Sequence, residues 1–171
     1  MRILLTEEPR GTPYRRLVEI GLERCTHGSL VIRREMPLDP GGKVLLKEMS
    51  PSVTADQMAT EWPGTRTRAP QRLVTFTLDE PAASVVSTSV QGLFDWRQPA
   101  RPEDLALLLP DGKPWLSSIS HEQVAWVVDN ETMLHRLSEA GCAVAEGEPE
   151  IIKDRLVADR GIACNMSRVG T

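Results

Sequence analysis

The sequence predicts an α+β domain, a mainly antiparallel sheet packed by several short helices, and three observations lead there. The apolar run Leu105 to Leu109 and the strand-like run Trp115 to Ile119 flank Asp111-Gly112, the chemistry of a tight turn that needs positive φ. Strands joined so closely run antiparallel. Residues 71–78 alternate strictly, with Leu73, Thr75 and Thr77 on one face and Val74, Phe76 and Leu78 on the other, as in a half-buried strand. Helical and strand-like stretches are interspersed, and the tight turn favours helices packed on an antiparallel sheet over a doubly wound parallel one.

The elements follow in order. Tyr14, Leu17, Val18, Gly21, Leu22 and Cys25 recur at helical spacing, with Thr12 as the expected N-cap and Pro13 at the first helical position. Residues 29–34 are short, β-branched and stopped by Pro37, which suits a strand. Asp39-Pro40-Gly41-Gly42 reads as a turn before a short helix over residues 43–49. Residues 50–70 carry Pro51, Pro63, Gly64 and Pro70 among many Thr and Ser, which predicts a long surface loop. Asp79-Glu80-Pro81 looks like a capped helix start, and Ala83, Val86, Val90, Leu93 and Phe94 extend the apolar stripe towards Trp96. After the hairpin, Val124 to Val128 is β-rich and gives a third strand of a meander. Asp129 or Asn130 then caps a helix carrying Met133, Leu134 and Leu137, ended by Gly141. Glu148-Pro149-Glu150 opens a last helix running to about Gly161.

The chain has 171 residues, a net charge of −4, 40% hydrophobic and 26% charged residues, an ordinary globular composition. That length suits one domain over 1–171, burying roughly 70% of the surface of the unfolded chain without metal or disulfide. No apolar run reaches the ~18 residues a membrane span needs, and the opening Met1 to Glu8 turns acidic too early for a secretory signal. Cys25, Cys142 and Cys164, an odd number widely spaced, read as reduced thiols. Together these features point to a cytoplasmic, bacterial protein.

Several chemistries lack their signatures. Gly41-Gly42-Lys43 has no upstream glycine at P-loop spacing and Val44 where a magnesium-binding Ser or Thr belongs. No Gly-x-Ser-x-Gly elbow occurs. No cofactor is expected. Cys25-Thr26-His27 is the weak metal candidate, because Cys25 and His27 have no second clustered ligand pair and a lone cysteine is usually core. Arg15-Arg16, Arg33-Arg34 and Arg66-x-Arg68 raise nucleic-acid binding, but the acidic balance and missing recognition motifs argue against it.

The best acid/base constellation is His121 with Glu122, Glu103 and Asp104, because the hairpin should bring its acidic entry to the imidazole at its exit. Neighbours in a strand face opposite ways, so His121 and Glu122 share a site only across a bend. The bland alternative is that these residues simply start and end strands. For binding, the tryptophans are natural anchors. Trp62, without periodic neighbours in the 50–70 segment, is the leading contact residue, followed by Trp115, Arg66, Arg97, Arg101 and His121, whereas Trp96 and Trp126 fit core patterns.

Two functional expectations follow. The first is a protein-binding domain without catalysis of its own, of the immunity, antitoxin or defence-accessory kind, whose partner is another protein. The second is a small hydrolase or transferase using His121 as general acid/base, oriented by a carboxylate, with Arg97 or Arg101 holding an anion.

Overall fold

The computed structural model describes residues 1–149, which form one α+β domain. An eight-stranded antiparallel sheet runs in the order β3-β4-β2-β5-β6-β7-β1-β8. The strands are β1 (Arg2–Leu5), β2 (His27–Ile32), β3 (Val53–Trp62), β4 (Thr65–Thr77), β5 (Glu103–Leu108), β6 (Pro114–Ile119), β7 (Val124–Val128) and β8 (Val144–Glu146). The helices are α1 (Thr12–Arg24), α2 (Pro40–Met49), α3 (Glu80–Thr88) and α4 (Glu131–Glu139). Among the described residues no helix is long and apolar enough to cross a membrane.

Helix starts follow their capping chemistry. Asp39, Asp79 and Asn130 accept hydrogen bonds from Gly42 N, Ala82 N and Met133 N, which satisfies one orphan donor at the start of α2, α3 and α4. The start of α1 differs from expectation. Gly11, at φ 61°, takes the N-cap position without a side-chain bond, and Thr12 is already helical. All four helices feed one core with the sheet, through Leu17 and Val18 of α1, Leu45 and Met49 of α2, Val86 of α3, Leu137 of α4, and Leu105 and Leu107 of β5. α1 approaches the sheet closely at Gly21, where a Cβ would lie 2.4 Å from Leu107 Cδ1 and displace that side chain.

The Asp111-Gly112 hairpin forms as expected, with Leu107 paired to Leu116 and Leu108 to Pro114. The register shifts between those pairs, making Trp115 the extra residue of a bulge. β7 then pairs antiparallel with β6, completing the meander.

Three expectations are corrected. Residues 40–42, expected in a turn, already belong to α2, because Asp39 caps it and Pro40 fits its first position. The helix predicted to reach Trp96 stops at Thr88, because the Asp95 carboxylate captures the backbone N–H groups of Gln91 and Gly92 and a short 3₁₀ turn, Leu93–Asp95, replaces it. Its apolar stripe stays largely inside, with Val90, Leu93 and Trp96 all buried. The segment predicted as a loop over 50–70 is instead mostly the long β3–β4 hairpin. Pro63 and Gly64 make its turn, Gly64 having the positive φ that position i+2 of a type II turn needs. Pro70 lies where the register is irregular, between the pairs Ala59↔Gln71 and Glu61↔Arg66, a place where a missing ladder donor is tolerated. The tip folds back over the sheet, for a Cβ on Gly64 would sit 2.4 Å from the Trp126 ring. Trp126 lies between Ala125 and Val127, which join the helix-lined core, so strand alternation turns its ring to the opposite face. β1 and β8 were not predicted, and the last predicted helix lies outside the described residues.

Candidate functional site

The hairpin brings Glu103 and Asp104, at the entry to β5, to His121 at the exit of β6. One ligand-type atom from each lies within 4.8 Å of the others. A 3₁₀ turn, Ser120–Glu122, supplies the bend that strand geometry alone would deny, and His121 Nε2 comes to 3.4 Å from Glu122 Oε1.

The partners of these groups determine what the cluster can do. Arg33 Nε donates to Glu103 Oε2 at 2.5 Å, and Arg33 Nη2 lies 3.2 Å from His121 Nδ1. Because guanidinium can only donate, Nδ1 is the acceptor and the imidazole proton sits on Nε2, facing Glu122. Asp104, in the left-handed region at φ 57°, accepts from Ser120 N at 2.9 Å and from the Trp62 indole N–H at 3.1 Å. Burial pushes the Asp104 carboxyl above its ordinary range, against the pull of those two donors. Asp104 has both carboxylate oxygens engaged, and the positive charge beside Glu103 is the Arg33 guanidinium, bonded to Oε2. His121 Nδ1 is engaged by Arg33, and Nε2 faces Glu122 at 3.4 Å.

The same arginine connects this network to the main concavity. Gln98, buried, accepts from Arg33 N at 2.5 Å and donates to the carbonyls of Arg33 and Met36. That anchorage holds the turn over residues 97–101, closed by the Arg101 N to Arg97 O bond at 3.0 Å. The turn forms one wall of a cleft of about 650 Å³ whose other lining residues include Val90, Phe94, Arg10 and Asp95. This is within the size range of ligand sites. Gln98 and Gln123 line the cleft, whereas the exposed His121 and its neighbouring carboxylates are not among the lining residues.

Charge in the cleft is unevenly matched. Arg10 is held by Glu8 at 2.8 Å and by Asp95 at 3.0 Å. Arg101 directs its guanidinium to the main-chain carbonyls of Ser89 and Ala100, which fix its position without neutralising it. The Arg97 side chain is exposed and has no hydrogen bond or ion pair among the described residues. Among the described residues, two cations with no carboxylate partner therefore share one wall, one of them held by main-chain carbonyls.

The other sequence candidates fall elsewhere. Trp62, expected as an exposed contact, is only 5% exposed, because the hairpin tip folds it inward onto Asp104. Trp115 is fully buried, its indole donating to Asp129 Oδ2 at 2.8 Å, so it too is core rather than contact. Arg66 is exposed on the hairpin and paired with Glu61. Cys25 is buried in the main core, and His27 Nδ1 pairs locally with Thr26 Oγ1, so they form no ligand cluster. Burial pushes the Cys25 thiol up to about 12 and the Cys142 thiol up to about 11. In a Cys164→Ser variant at pH 8, a disulfide thiol reagent should leave both unmodified until denaturant is added. Rapid stoichiometric labelling of the folded protein would contradict their placement.

Arg33 and Gln98 are the residues that sequence reading missed. Arg33 stood out only as half of a basic pair, and no local pattern marks a glutamine that bonds backbone 65 residues away. Comparisons with protein-family models, with curated proteins and with solved structures each return no match.

Proposed function

We propose that this chain is a non-catalytic binding domain that recognises another protein through the cleft walled by residues 97–101. The observation carrying this reading is the pair Arg97 and Arg101, whose charges no carboxylate among the described residues neutralises, on one wall of an open cavity of about 650 Å³. An exposed arginine beside a rigid one is well suited to forked carboxylate contacts, and arginine is over-represented at interface hot spots. Immunity proteins and antitoxins belong to this functional class, and a cytoplasmic setting accords with the two free buried thiols.

The acid/base reading is less well supported. His121 has Nδ1 bonded to Arg33 and is not among the residues lining the cleft. A general base needs a nitrogen within reach of a bound substrate.

Three baits separate the readings: tagged wild type, Arg97→Glu and His121→Gln, each used for mild native affinity purification from the source cells. Wild type and His121→Gln should retain the same stoichiometric protein, and Arg97→Glu should lose it. Equal retention by Arg97→Glu, or no stoichiometric protein on wild type, contradicts the proposal.

A further inference from the structure

Beside the main cleft lies a second cavity of about 380 Å³, lined by Pro40, Gly41, Val44, Leu45 and Glu48 of α2. The two cavities share Ser89 and Arg101, so they adjoin along a trough with a fixed cation between them. The α2 section presents the aliphatic side chain of Val44, 56% exposed, beside Glu48. The opposite section combines Arg97 with the apolar side chains of Val90 and Phe94.

Acidic groups bound the trough. Glu48 lies in the α2 section, and Glu8 and Asp95 lie in the larger section. A polyanion such as a nucleic-acid backbone would reach the two arginines only by also meeting these carboxylates, and like charges so placed are repulsive. A single carboxylate flanked by apolar groups meets the arginines and avoids that repulsion. Two adjoining cavities on either side of Arg101 suit successive side chains of an extended chain.

From this we infer that the occupant is an extended peptide segment of the partner protein, carrying an Asp or Glu side chain next to an aliphatic one. The inference rests on the cleft being the binding surface. The carboxylate engages Arg97 and Arg101, and the aliphatic neighbour lies against Val44 and Leu45. Holding Arg101 in place by Ser89 O and Ala100 O lowers the ordering cost of that contact.

The test is selection of a phage-displayed random octapeptide library on the full chain, followed by fluorescence anisotropy with the enriched peptides made synthetically. The expected consensus has one acidic residue adjacent to Leu, Ile or Val. Glu→Gln in the peptide, or Arg97→Gln in the protein, should weaken binding at least tenfold, and Val44→Asp should weaken it independently. Arg97 makes no side-chain bond among the described residues, so its replacement leaves folding intact. Inorganic phosphate should compete no better than sulfate at matched ionic strength. Enriched peptides without an acid, acidic peptides indifferent to Arg97→Gln, or no enrichment would each overturn the inference. Loss of the protein partner by Arg97→Glu without an acidic consensus would retire the peptide chemistry and keep the cleft. An acidic consensus that depends on Arg97, with partner retention indifferent to Arg97→Glu, would do the reverse.

Discussion

Trp62→Ala should destabilise the fold by about 3–5 kcal/mol, the cost of emptying a buried indole site. The side chain closes the β3–β4 tip over the sheet and donates its N–H to Asp104. Urea unfolding should show a lower midpoint with little change in slope. A surface anchor would instead give a loss within about 0.5 kcal/mol, and that result would contradict the packing. Trp62→Phe separates the bond from the bulk. It keeps most of the ring and removes one donor from a buried carboxylate, which should cost about 1–3 kcal/mol.

The pH response of the same pair has a definite sign. Burial raises the Asp104 carboxyl, so the folded chain holds that proton more tightly than the unfolded chain does. The contribution of Asp104 to stability is fully present below the unfolded carboxylate range and is lost as pH rises through its folded value. Trp62→Phe removes a donor that favours the charged form, so the penalty of Trp62→Phe should shrink as the solution is acidified and Asp104 becomes neutral.

Arg33→Met should be comparably damaging. Glu103 has a side chain only 5% exposed, and its ion pair with Arg33 is 2.5 Å long. Removing one member of a buried pair leaves an uncompensated charge, which typically costs about 3–5 kcal/mol. The double variant Arg33→Met/Glu103→Leu should recover much of that loss, because both charges leave together. Additive losses in a double-mutant cycle would show that the two side chains are not coupled.

Legibility in the sequence followed locality. The Asp111-Gly112 hairpin, the caps Asp79 and Asn130, and the alternation of residues 71–78 are written in neighbouring residues, and each is found in the fold. The β3–β4 hairpin escaped because much of β3 is exposed on both faces, so no apolar alternation survives to report a strand. Its turn was nevertheless signalled by Pro63-Gly64, chemistry that fits a type II turn as well as a loop. β1 and β8 are four and three residues long, too short to carry a period.

The site divides in the same way. That Glu103, Asp104 and His121 meet could be read from the hairpin, since register across a tight turn is a local property. What they do with one another depends on Arg33 and Trp62, which arrive from β2 and β3 and leave no mark near the hairpin. Once those partners are counted, the cluster is the buttress of the turn over residues 97–101, through the shared Arg33 and Gln98. Arg97 and Arg101 were legible as cations, but the free charge of one and the fixed position of the other depend on their surroundings in the fold.

In-cell photo-crosslinking tests the cleft most directly, with a benzophenone side chain placed in turn at Gln91 inside the cleft, at Arg66 on the hairpin and at His135 on α4. All three positions are exposed, so the label itself disturbs no packing. A single protein partner crosslinked from position 91 and from neither of the others is the predicted result. Crosslinking from 66 or 135 with none from 91 would contradict the cleft as the binding surface.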